Sequence, residues 1–223
     1  MNRITVDIVS DIVCPWCYLG KTRFELAIAE VQDELGVDIN WRPYQLDPDA
    51  TAEGADYREH LVAKFGSTER LDEMQGQLVE LGREIGLDYH FDKIKVRSNT
   101  MDAHRVIHWA QAEGREKQNA VVDRLFVAHF VEGQNIADKQ VLTTIAGEAG
   151  LDPQVIERLL DGDVDCDTIR SEIGAAQNMG VSGVPFFIFD QQYAVSGAQS
   201  VEVFASALRD IVRAKAEAQQ KLN

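Results

Sequence analysis

The sequence of 223 residues has few cysteines, no long apolar segment and a deficit of positive charge. Three cysteines are too few for a small secreted scaffold held together by disulfide bonds. No stretch approaches the roughly 18 consecutive apolar residues that a membrane-spanning helix requires. The 22 Lys and Arg against 37 Asp and Glu give a net charge of −15, which repels phosphate backbones and anionic lipids. We therefore expect neither nucleic acid nor a membrane as a partner.

The first residues also lack a targeting signal. A secretory signal peptide needs a longer apolar region than the one that follows Met1, and Asp7 and Asp11 interrupt any such run. Hydrophobic residues make up 45% of the chain and charged residues 26%, which is typical of a globular protein. We expect a soluble protein that stays in the cytoplasm.

The first part of the chain has the pattern of a strand, a helix and a second strand. Apolar residues alternate over residues 4–9, which predicts a strand. A helical stripe over residues 16–35 is followed by Gly36, which we expect to end the helix, and residues 37–41 predict the second strand. Because the helix is long enough to cross over, the two strands should be parallel.

Residues 49–177 show helical periodicity and few β-branched runs. Glycines separate the periodic segments, as expected at the C-terminal ends of helices. The candidate helices span residues 57–65, 68–85, 100–111, 116–132, 139–149 and 153–160.

The C-terminal part returns to mixed structure. Residues 184–189 form a short apolar run typical of a buried strand, and a turn separates them from a second strand at 193–196. Ser200 is the expected N-cap of an amphipathic helix that begins at Val201. The order of elements predicts an α/β fold with a βαβ–ββα core that a large helical segment interrupts. We assign residues 1–48 and 178–223 to the core domain and 49–177 to the insertion.

The motif Cys14-Pro15-Trp16-Cys17 lies between the first strand and the first helix. A C-x-x-C pair beside a βαβ unit predicts redox chemistry. A helix N-terminus stabilises an anion, so Cys14 should form the reactive thiolate, while Cys17, one turn further on, should resolve the mixed disulfide. A zinc site and two inert thiols are the alternatives, but zinc usually requires four ligands and Cys166 is the only other cysteine.

Three further features carry weaker signals. His104 and His108 share a helix face, but no third metal ligand is apparent. The acidic segment 161–167 has Cys166 where a calcium loop requires glycine, so we interpret it as a solvated loop with Asp167 capping the next helix. The surrounding carboxylates should disfavour a thiolate at Cys166. We predict no metal site.

Two segments resemble the DsbA-like thioredoxin-fold family, specifically its FrnE-like branch. They are residues 10–21, which contain the C-x-x-C motif, and residues 180–187, which contain Gly183-Val184-Pro185. Residues 42–46 and 99–105 add to the resemblance, which extends over the whole chain. The resemblance implies a thioredoxin fold in the core domain and a thiol–disulfide oxidoreductase, with disulfide isomerisation as a further activity.

The resemblance also implies roles for individual residues. In this family the proline that matches Pro185 is cis and faces the active cysteines, and the residue before it lines the substrate groove. We therefore assign catalytic roles to Cys14, Cys17 and Pro185. We assign substrate-binding roles to Pro15, Trp16, Val184 and His104.

The same superfamily contains glutathione-using enzymes, namely 2-hydroxychromene-2-carboxylate isomerase and kappa-class glutathione transferase. They usually have serine in place of the first cysteine and lack the second, whereas this chain has both Cys14 and Cys17. A dithiol can resolve its own mixed disulfide, which favours the oxidoreductase. A non-catalytic binding or chaperone module is a third hypothesis.

The oxidoreductase hypothesis requires no bound cofactor, although glutathione could serve as a thiol partner. The expected partners are proteins or small molecules that carry a disulfide or a thiol. The sequence leaves open whether two copies of the chain form a homodimer.

Overall fold

A four-stranded mixed sheet with the strand order β2–β1–β3–β4 supports the candidate site. The structure is a computed structural model that describes residues 2–51 and 54–222, with side chains described as far as residue 217. The strands are β1 Asn2–Ser10, β2 Leu35–Pro43, β3 Phe186–Phe189 and β4 Tyr193–Ser196. β1 lies between β2 and β3, so the end of β1 and the start of β3 are neighbours.

The N-terminal segment forms the predicted parallel βαβ unit. Helix α1, Pro15–Val31, connects β1 to β2, which pair in parallel along their full lengths. The prediction that Gly36 ends the helix is wrong, because the helix ends at Val31 and Gly36 already lies in β2. Gly36 pairs with Arg3, and a Cβ added to this glycine would lie 3.2 Å from the Arg3 side chain.

The C-terminal segment forms the predicted ββα unit. β3 pairs antiparallel with both β1 and β4, and helix α9, Val201–Leu222, follows. The hydroxyl of Ser200 accepts a hydrogen bond from the backbone N–H of Val203 at 3.4 Å, which fits its expected role as N-cap. Residues 184 and 185 precede the strand instead of starting it, because pairing with β1 begins at Phe186.

Helices dominate the chain between β2 and β3, as predicted. They are α2 Tyr57–Phe65, α3 Thr68–Arg83, α4 Met101–Ala112, α5 Arg115–Phe130, α6 Lys139–Glu148, α7 Pro153–Leu160 and α8 Cys166–Asn178, with a 3-10 turn at Phe91–Lys93. Among the described residues, no helix is long and apolar enough to cross a membrane.

The start of α8 differs from the prediction. Asp165, with φ of 65°, is the residue that precedes the first helical position, so Asp167 lies within the first turn and is not the cap. The carboxylate of Asp167 instead accepts a hydrogen bond from Arg170 at 2.7 Å. The left-handed backbone at Asp165 lets the helix begin two residues earlier than the acidic pattern indicated.

Aromatic packing joins the helical segment to α1. The ring of Tyr18 stacks on Phe126 and Phe130 of α5, with centroid distances of 5.1 and 5.9 Å, and meets Tyr89 edge to face at 5.6 Å. One continuous apolar core therefore includes residues of the sheet, of α1 and of the inserted helices. The assignment of residues 1–48 and 178–223 to one domain and 49–177 to another stays a prediction.

Helix α1 approaches the loop before β3 closely at Gly20. A Cβ added to Gly20 would lie 2.9 Å from Cγ of Pro185 and 3.2 Å from Cβ of Ala198, which is closer than normal packing allows. Proline is a rigid ring, so the loop itself would have to move. Glycine at this position therefore permits the contact between α1 and the loop.

We expect Gly20→Ala to be less stable than Gly76→Ala by about 1–3 kcal/mol, the usual cost of overpacking. Gly76 on α3 is the matched control, since a Cβ there meets nothing within 4 Å. Both changes should gain about 1 kcal/mol of helix propensity, so the difference isolates the contacts with Pro185 and Ala198. Urea unfolding of the two variants measures it, and equal stabilities would contradict the packing argument.

Candidate active site

Both cysteines of the motif lie in the first turn of α1. Cys14 is the N-cap residue, and Pro15 occupies the first helical position, where its missing N–H costs little. The carbonyl oxygen of Cys14 accepts the backbone N–H of Cys17 at 3.0 Å, and the N–H of Cys14 donates to the carbonyl of Asp11 at 3.0 Å. These bonds fix the turn that follows β1 and keep the two thiols close together.

The loop before β3 forms a second wall beside Cys14. The Val184–Pro185 peptide bond is cis. The Cys14 thiol lies 3.6 Å from the carbonyl oxygen of Val184 and can donate a hydrogen bond to it. The carbonyl of Pro185 accepts the N–H of Gly197 at 2.9 Å, which ties the loop to the end of β4. The predicted residues Cys14, Val184 and Pro185 are therefore brought together.

Burial controls the protonation of the Cys17 thiol. Cys17 is fully enclosed, and burial is the main reason that its pKa lies well above the ordinary value. The neighbouring Cys14 raises that pKa further, while the Ser10 side chain and the Asp11 backbone oppose the shift. Cys17 is therefore protonated in the reduced protein at neutral pH.

A buried polar cluster lies behind the cysteine turn. The carboxylate of Asp11 is fully buried and accepts the backbone N–H of Leu46 at 2.8 Å. Nε2 of His104 lies 3.4 Å from the other oxygen of Asp11 and 2.9 Å from the carbonyl of Tyr44. His104 is thus enclosed behind the cysteine turn, where it contacts Asp11 and Tyr44. The predicted contact between His104 and a substrate stays a prediction.

Tyr89, which the sequence did not single out, supports the same turn from the inserted segment. Its hydroxyl donates a hydrogen bond of 2.7 Å to the carbonyl of Pro15. Burial raises the pKa of Tyr89 far above its usual value, so the hydroxyl keeps its proton and remains a donor. No motif marks this tyrosine, because its partner lies in a segment distant along the chain.

A cavity of about 170 Å³ opens beside Cys14. Pro15 and Trp16, both half-buried, form part of its wall together with residues of α2 and α3. Both residues therefore border the space beside Cys14, and their assignment to substrate binding stays a prediction. The inserted helices therefore form part of the wall beside Cys14.

Other candidate residues lie elsewhere. His108 contacts Glu172 at 3.7 Å, and Cys166 begins α8; neither lines the cavity beside Cys14. The three cysteines are free thiols. Within residues 2–51 and 54–222, no three His, Cys, Asp or Glu side chains converge in a way that could hold a metal ion.

This geometry agrees with comparisons to known protein families. The sequence profile of the DsbA-like thioredoxin domain matches residues 5–209. That range includes most of β1, the other three strands, the cysteine motif, the inserted helices and the loop before β3. The chain belongs to the DsbA-like thioredoxin domain family.

Similar proteins cover nearly the whole chain. A probable DsbA oxidoreductase from Streptomyces coelicolor is 34% identical, covers 93% of this chain and 89% of its own, and superposes with a TM-score of 0.83. The Bacillus subtilis protein YwbO is 26% identical over 93% of this chain and 96% of its own. A 2-hydroxychromene-2-carboxylate isomerase, 18% identical over 96% of this chain and 98% of its own, shares the fold with a TM-score of 0.69.

We expect limiting iodoacetamide to label Cys14 before Cys17 in the reduced protein at neutral pH. The thiolate is the reactive form, and burial raises the pKa of Cys17, so its labelling should increase only as the pH rises. Peptide mapping after a short reaction measures both sites. A Cys166→Ser background leaves only these two cysteines to compete, and equal labelling of both at neutral pH would contradict the assignment.

Proposed function

We propose that the protein is a thiol–disulfide oxidoreductase in which Cys14 attacks and Cys17 resolves. The observation that carries the proposal is the pair of thiols in the first turn of α1, with Cys14 against the carbonyl of Val184. Membership of the DsbA-like thioredoxin domain family supports it. The chemistry requires two thiols and no bound cofactor.

The proposed reaction has two exchange steps. The thiolate of Cys14 attacks one sulfur of a substrate disulfide, forms a mixed disulfide and releases the other sulfur as a thiolate. Cys17 then loses its proton to solvent or to the departing thiolate and attacks the sulfur of Cys14. The substrate leaves as a second thiol, so it gains two electrons and the enzyme holds a Cys14–Cys17 disulfide.

A low-molecular-weight thiol such as glutathione can return the enzyme to the dithiol form. Two thiol molecules give one external disulfide and restore both cysteines, so the cycle balances. We propose the cytoplasm as the location, where such thiols keep cysteines reduced. If another thiol of a protein substrate attacks the mixed disulfide instead of Cys17, the same intermediate leads to disulfide isomerisation.

The loop before β3 and the residues between the cysteines are proposed to hold the substrate. Val184 is half-buried and lies against the attacking sulfur, where its backbone can pair with an extended substrate. Pro15 and Trp16 border the cavity beside the same sulfur. Pro185 is buried and keeps the Val184 carbonyl in place.

The proposal predicts that Cys14→Ser reduces insulin no faster than the assay without enzyme, with dithiothreitol as the reductant. Cys17→Ser should accumulate a mixed disulfide with the substrate, because the resolving thiol is absent. Cys166→Ser is the control and should keep the wild-type rate, since Cys166 lies outside the site. Turbidity measures reduction, and mass spectrometry detects the mixed disulfide.

The results separate this function from the alternatives. Insulin reduction that survives Cys14→Ser would contradict the oxidoreductase. A glutathione-dependent isomerase or transferase would bind glutathione tightly and keep its activity in Cys17→Ala. A binding or chaperone module would act independently of both cysteines.

A further inference from the structure

The cavity beside Cys14 is small and mostly apolar. It measures about 170 Å³ and lies between the start of α1 and helices α2 and α3. Its apolar wall includes Val13, Leu61, Phe65, Met74, Leu78 and Phe91. An apolar cavity of about 150 Å³ is enough to bind benzene, so this one can hold a single aromatic ring.

Most of the charged groups on the cavity wall form ion pairs with one another. Asp47 forms an ion pair with Arg97 and lies 3.3 Å from His60. Lys64 is exposed to solvent, where an ion pair with a ligand would contribute little. The interior of the cavity therefore favours an uncharged ligand.

His129 borders the same wall, but its ring nitrogens have almost no accessible surface, so a ligand in the cavity does not reach them. Its side chain is 1% exposed, and neither ring nitrogen forms a hydrogen bond with any described residue. Burial lowers the pKa of His129 to about 4, although the Gln134 backbone and the charge of Asp11 oppose the shift, so the ring is neutral. A neutral, enclosed imidazole adds no charge to the cavity, which agrees with an uncharged ligand.

We propose that this cavity binds the ring of a small, uncharged aromatic disulfide and presents one of its sulfurs to Cys14. The apolar wall holds the ring, and the thiol of Cys14 lies at the edge of the same cavity. A polypeptide segment does not fit, because the cavity is too small and the apolar wall offers few partners for backbone N–H and C=O groups. The inference rests on the proposed function and names its substrate class.

The exchange on such a substrate is balanced in the same way as on a protein. Cys14 attacks the nearer sulfur and the first aromatic thiolate leaves. Cys17 then attacks Cys14, and the second thiolate leaves the cavity. The substrate disulfide gains two electrons from Cys14 and Cys17 and becomes two thiols. Two molecules of an external monothiol then reduce the Cys14–Cys17 disulfide and regenerate the enzyme.

The test compares two uncharged disulfides on the full chain. The probe is 2,2′-dipyridyl disulfide, which carries an uncharged aromatic ring on each sulfur, and the reference is hydroxyethyl disulfide, which has no ring. The measured quantity is the ratio of the two rates at which the reduced protein is oxidised. Using a ratio cancels effects of a variant on the intrinsic reactivity of Cys14.

We expect Met74→Trp, which fills the cavity, to lower this ratio by about tenfold, because burial of one ring is lost. Met179→Trp is the matched control, since Met179 is 67% exposed and does not line the cavity, and it should keep the wild-type ratio. Leu61→Phe is a second filling variant in case Met74→Trp does not fold. Phenol, an unreactive ring with one hydroxyl, should slow the wild-type reaction with the dipyridyl compound.

The outcomes are distinguishable. An unchanged ratio in both filling variants, or no competition by phenol, would overturn the cavity proposal while leaving the oxidoreductase intact. If neither disulfide oxidises the Cys14–Cys17 pair, the proposed function itself fails.

Discussion

The close approach of α1 to the loop before β3 is the constraint on which the site depends. Because β1 lies between β2 and β3, Val9 pairs with Phe186, and the turn after β1 lies beside the loop before β3. The contact can close only because Gly20 leaves room for Pro185. This contact brings the Cys14 sulfur against the carbonyl oxygen of Val184, so the loop before β3 forms one wall of the site.

The inserted helices provide the opposite wall and support the cysteine turn. Tyr18 packs on α5, and the hydroxyl of Tyr89 holds the carbonyl of Pro15, so the insertion fixes the orientation of the first turn of α1. The same helices enclose the cavity and place His129 in its wall. The insertion thus borders the space beside Cys14, whereas the start of α1 carries both thiols.

Local patterns were enough to predict the order of elements and the cysteine pair. The helices at 57–65 and 153–160 are confirmed with their predicted bounds, because strong start and stop signals flank them. The prediction failed at Gly36, where strand pairing overrides the helix-stop signal, and at α8, where a left-handed Asp165 begins a helix within an acidic segment. The hydrogen bond of Tyr89, the burial of His129 and the cavity depend on long-range packing, which one sequence does not reveal.

The pairing of cysteines in the oxidised protein tests the central claim most directly. Mild oxidation followed by non-reducing digestion and mass spectrometry identifies every disulfide. The account predicts a single disulfide between Cys14 and Cys17, which share one helical turn, with Cys166 free at the start of α8. A disulfide that contains Cys166 in most molecules, or two thiols at Cys14 and Cys17 that resist oxidation, would contradict the account.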